Sequence, residues 1–70
     1  MINQEWIEVI EKLLLSDKEF TIKSIKSKLK EKYNRNFGSI VVNNMLSILS
    51  LKYNSNKKVM FRLLTVRSSR

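Results

Sequence analysis

The fold of this chain turns on one stretch, Leu51-Lys52-Tyr53-Asn54-Ser55-Asn56-Lys57-Lys58-Val59-Met60-Phe61-Arg62-Leu63. Leu51 and Tyr53 alternate with Lys52, and Val59, Phe61 and Leu63 alternate with Met60 and Arg62. A period of two puts one set of side chains on one face of a strand. Between the two runs lies a polar segment, Asn54 to Lys58, with the composition of a turn. A β-hairpin beginning near Ser50 is therefore expected, with Leu64 to Val66 extending its return strand. Lysines at its tip would also blunt an exposed edge. Arg67-Ser68-Ser69-Arg70 reads as a flexible basic tail.

Three helices are expected upstream. From Asn36 to Leu51 no residue is charged. Ser39 can cap a helix there, and Val42, Met45, Leu46 and Leu49 fall within an arc of about 100°. Ser39, Ile40, Asn43, Asn44 and Ser47 take the outer side. The β-branched run Ile40-Val41-Val42 favours a strand, but the residues after it keep the helical period. Before this helix, Asn34 to Gly38 reads as a turn holding the chain's one glycine. Thr21 can cap a second helix over Ile22 to Tyr33, whose stripe of Ile22, Ile25, Leu29 and Tyr33 is about 80° wide. Lys23, Lys26, Lys28, Lys30 and Lys32 surround that stripe. The first helix runs from about Asn3 to Leu15, with Glu5 in its first turn and Trp6 as a core anchor. Its apolar arc is about 160° wide, enough for the core and, alternatively, for a homodimer seam.

Seventy residues make a single small domain, spanning residues 1–66 with the tail at 67–70. The chain has no cysteine and no histidine, so disulfides and thiolate or imidazole metal sites are excluded. No metal, cofactor or small-molecule ligand is expected. Nor is enzymatic activity, for want of a phosphate loop or a carboxylate pair directed into a cleft. The net charge of +8 is unevenly spread: residues 1–19 carry −3 and residues 20–70 carry +11. Such polarity suits a polyanion, with the acidic segment turned away. A composition bias toward Lys, Asn and Ile is the competing account of the same charge, and the less favoured one. The N-terminus has no signal-peptide pattern and no run is long enough to span a membrane. An intracellular, cytoplasmic protein is expected, nucleoid-associated if bacterial or archaeal.

In order and in pattern the chain resembles the winged helix-turn-helix DNA-binding domains. Phe20-Thr21-Ile22-x-x-Ile25-x-x-x-Leu29 is similar to their first strand and second helix. Ser39-x-x-Val42-x-x-x-Leu46-x-x-Leu49 is similar to their recognition helix, and Val59-x-Phe61-x-Leu63 to the second strand of the wing. The likeness spans Phe20 to Leu63. It implies an α+β, mainly α fold: three helices followed by a C-terminal β-hairpin wing. It also implies a double-stranded DNA partner and a role in transcription regulation. The chain departs from the family where recognition helices usually offer Arg, Lys or Gln.

That departure sets the expected chemistry. Asparagine amides read adenine in a bidentate pair, and apolar side chains touch the thymine methyl. Base readout is therefore assigned to Ser39, Ile40, Asn43, Asn44 and Ser47, and is A·T-preferring or sequence-tolerant. Backbone contacts fall to Lys23, Lys26, Lys28, Lys30 and Arg35, and on the wing to Lys57, Lys58 and Arg62. For any one of these residues a plain solvated surface is the competing account. Ile40, Val41 and Ile48 leave open a winged-helix protein-interaction or dimerisation module without DNA readout. RNA is less favoured because no exposed aromatic is evident. A membrane surface is less favoured because the lysine-rich helix has too narrow an apolar stripe.

Overall fold

The computed structural model describes residues 2–16 and 18–68. Four helices follow one another: α1 (Gln4–Leu15), α2 (Ile22–Tyr33), α3 (Ser39–Lys52) and α4 (Lys57–Ser68). The described residues contain no strand, so the expected hairpin wing is absent and the winged-helix topology is wrong. The mainly helical part of the expectation stands. Ser69 and Arg70 of the expected tail lie outside the described residues, whereas Arg67 and Ser68 belong to α4.

The helices begin and end where local chemistry dictates. Asn3 caps α1, its Oδ1 accepting from the Glu5 backbone N–H at 2.8 Å. Thr21 and Ser24 close a reciprocal capping box on α2: the Ser24 amide donates to Thr21 Oγ1 at 3.0 Å, and the Thr21 amide to Ser24 Oγ at 2.8 Å. Asn34 stops α2 with a left-handed φ of 53°, a conformation asparagine tolerates better than most residues. Gly38, not Ser39, is the N-cap of α3. The α3–α4 connection is a short turn at Tyr53–Ser55 followed by Asn56, whose Oδ1 accepts from the Val59 amide at 3.1 Å.

That cap explains why the expected hairpin is a helix. Val59, Leu63 and Val66 are spaced i, i+4, i+7, and all three are buried. Phe61, which a strand would place beside Val59 and Leu63, is 70% exposed. Between Lys57 and Leu64 most residues are good helix formers (Lys, Met, Arg, Leu), and a helix satisfies its backbone without a third strand.

One core joins all four helices. Ile10, Leu14, Ile25, Leu29, Val42, Met45, Leu46, Leu49, Leu63 and Val66 are almost completely inaccessible, and among the described residues no polar one is buried with them. Packing within the chain consumes the wide arc of α1: Ile7, Val9, Ile10 and Leu14 are buried, with Trp6 and Leu13 packed against the core. Of its large apolar residues Leu15 alone is exposed, which leaves little of α1 for a dimer seam. Phe37, in the turn before α3, is buried and meets the Trp6 ring edge-on at 4.9 Å. Burying such residues is the main source of stability in a domain this small.

Candidate nucleic-acid interface

α3 sits between basic neighbours and presents an uncharged outer surface. Ser39, Ile40, Asn43, Asn44 and Ser47 are all exposed there, as expected from the sequence. Two cations from other helices converge on this surface. Lys26 of α2 donates from Nζ to Ser39 Oγ at 2.8 Å. Arg67 of α4 donates to Ser47 Oγ and, at 3.4 Å, to the carbonyl of Asn43. Neither forms an ion pair with a carboxylate among the described residues. Both keep donors to spare, since an ammonium has three N–H groups and a guanidinium five.

The space between these helices is a groove of about 840 Å³ lined by Glu19, Thr21, Lys23, Lys26, Ser39, Asn43 and Arg67, among others. Lys23, Lys26 and Lys30 recur three and four residues apart and so share one edge of α2. Lys28 is off that edge and lines a shallower hollow with Glu19 and Glu31.

The remaining expected backbone contacts scatter. Lys57 and Lys58 are exposed in the first turn of α4, beside the far end of α3, which at 14 residues is about 21 Å long. Arg35 lies over the rings of Trp6 and Phe37, 5.2 and 5.1 Å from their centres. Arg62 is engaged elsewhere. Its guanidinium donates to the carbonyls of Leu14 at 2.7 Å, of Ser16, and of Lys18 at 2.8 Å, and it stacks over Phe20. Those of Leu14 and Ser16 are carbonyls that the C-terminus of α1 leaves without partners, and that of Lys18 belongs to the loop after it, so Arg62 serves as a structural cap.

Two contributors are missed by sequence reasoning. Arg67 is hidden because the segment around it has the composition of a tail. Its spacing is the available signal: four residues beyond Leu63 and eight beyond Val59, it follows the core face of α4 toward α3. Glu11 is hidden because its spacing puts it on the solvated side of α1. Its Oε2 accepts from Lys52 Nζ at 2.7 Å and from the Tyr53 hydroxyl, pinning α1 to the end of α3. These two bonds, Lys52 first, hold its carboxyl below the ordinary value of 4.5, and the same carboxylate raises the ordinary value of both partners.

Among the described residues no group of acids is placed to hold a metal ion, and no helix is long and apolar enough to cross a membrane. Comparison with protein families, curated proteins and solved structures gives no match to the chain.

Proposed function

We propose that this is a small double-stranded DNA-binding protein that lays the outer face of α3 in the major groove, with A·T preference or sequence tolerance. The observation that carries the reading is the convergence of Lys26 and Arg67, without carboxylate partners among the described residues, on the uncharged face of α3. A helix is about as wide as the major groove, and the donors along the Ser39–Ser47 edge of α3 then meet phosphates. Lys23 and Lys30 extend the grip along α2. Asn43 and Asn44 supply the amides that pair with adenine, and Ile40 the apolar contact for a thymine methyl. No wing takes part. Lys57 and Lys58 instead contact phosphate from the other end of α3, and Arg62 makes no contact.

Binding of a mixed-sequence duplex, an A·T-rich duplex and single-stranded RNA across a salt series tests this. The expected result is duplex preference with a log–log salt slope of several units. Asn43→Ala and Asn44→Ala should flatten any A·T preference, while Lys26→Glu should weaken all duplexes alike. Equal affinity of every variant for duplex, or no duplex binding at low salt, contradicts the proposal.

A further inference from the structure

The surface formed by α3 and α4 has a property that DNA binding uses only at Ile40. Ile40 is 78% exposed, Leu51 77%, Phe61 70% and Leu64 59%. Exposed apolar side chains normally occur singly, and a set on two adjoining helices marks an interaction surface. Arg67 fixes the adjacency: its bonds to Ser47 Oγ and the Asn43 carbonyl hold the last turn of α4 against the middle of α3. The short turn at Tyr53–Ser55 joins the other ends, so α4 runs back alongside α3. On α4, Phe61 and Leu64 are three residues apart and occupy one outward ridge. On α3, Ile40 and Leu51 are eleven residues apart, about three turns, and share one as well.

The charge around these ridges is mostly positive. Lys57, Lys58 and Arg67 are exposed beside them, as is Lys52, which pairs with Glu11 of α1, while Glu19 borders Phe61. From Lys32 to the end of the chain there is no aspartate or glutamate, so neither α3 nor α4 carries an acid. A second copy of the chain meeting this face about a two-fold axis would set lysines against lysines. The occupant must therefore be anionic. It must also accept side chains that protrude: the principal grooves among the described residues are lined by other residues, save that Phe61 borders one beside Lys18, Glu19 and Phe20. A protein partner's hot-spot residues need a pocket to fill. The boundary between lipid headgroups and acyl chains deforms around protruding Leu, Ile and Phe side chains, and anionic headgroups attract the surrounding lysines.

We infer that the α3–α4 face is a peripheral binding site for an anionic lipid surface, seating Leu51, Phe61 and Leu64 at the headgroup boundary. The lysine-rich helix α2, with its narrow apolar stripe, is not the contact; the neighbouring apolar ridges are. Because Leu51 shares its α3 ridge with Ile40, which the DNA reading places in the groove, duplex DNA and anionic membrane exclude one another.

Sedimentation of the intact protein with vesicles, in the absence of DNA, tests the inference apart from the DNA reading. One set of vesicles is phosphatidylcholine alone and the other an equal mixture with phosphatidylglycerol. Binding to the mixed vesicles is expected, with little to the neutral ones. Phe61→Ser/Leu64→Ser should reduce it by about tenfold or more, in line with the loss of two buried apolar side chains. Both positions are exposed, so the variant should keep the wild-type circular dichroism and melting. Absence of binding to the mixed vesicles overturns the inference. So does binding that the double substitution leaves unchanged, since this would be charge attraction without a seated face.

Discussion

Replacing Arg62 by methionine separates a structural cap from a DNA contact. The substitution keeps the apolar stem and removes the fork that serves the carbonyls of Leu14, Ser16 and Lys18. A hydrogen bond from a charged donor contributes about 1.5–3 kcal/mol when well buried and less where water competes. The Leu14 and Ser16 bonds are part-buried and the Lys18 bond is exposed. About 1 kcal/mol for each of the first two, and about 0.5 for the third, is therefore reasonable. Loss of stacking over Phe20 adds about 0.5 kcal/mol. The total, about 3 kcal/mol, approaches the whole net stability typical of a domain this small, about 3–5 kcal/mol. At about 4–8 °C per kcal/mol, Tm should fall by roughly 12–24 °C. Arg62→Lys, with one donor group for three acceptors, should fall between. Thermal melting by circular dichroism measures both, and duplex affinity measured well below the melt should be unaffected. An Arg62→Met protein that melts like wild type but binds duplex weakly would refute the cap and restore the phosphate role.

The packing sets three further outcomes. Leu63→Ala should cost about 2–4 kcal/mol, against about 0.5 or less for Phe61→Ala; equal losses in denaturant titration would favour a strand over α4. Tyr33→Phe should raise Tm, because the Tyr33 hydroxyl is buried with no hydrogen-bond partner among the described residues, and a lower Tm would show that it has one. Glu11→Gln should cost about 1 kcal/mol at neutral pH. The unfolded chain protonates Glu11 near the ordinary 4.5 and the folded protein only at lower pH. Its contribution is thus fully present above 4.5 and lost as pH falls through the lowered folded value, so the two proteins' melting temperatures should converge in acid.

The first three helices are legible in the sequence because each sustains a helical period, and the first two also because a capping residue opens them. Asn3 and Thr21 cap as their residue types suggest, and the apolar residues of α3 are buried at the expected spacing. The fourth reads wrongly as a strand because Val59-Met60-Phe61-Arg62-Leu63 fits two periods at once. Over five residues, i, i+2, i+4 and i, i+4 cannot be told apart; Val66, seven residues after Val59, breaks the tie in favour of a helix. Asn56 has the chemistry of a turn residue, and in the fold it also caps α4. The candidate site is half legible. Exposure of Ser39, Ile40, Asn43, Asn44 and Ser47 follows from spacing alone, whereas the convergence of Lys26 and Arg67 depends on where α2 and α4 pack. Chemistry alone cannot assign Arg62, because a guanidinium suits a phosphate and a helix C-terminus equally well.

On the proposed reading, Lys26 and Arg67 hold phosphates along one edge of an uncharged reading helix. The salt dependence of duplex binding, compared between the wild type and Lys26→Gln/Arg67→Gln, tests this most directly. The wild-type log–log slope should be several units, reduced by about two in the double variant, both measured well below either protein's melting temperature. An unchanged slope, or no duplex binding by the wild type at low salt, would contradict it.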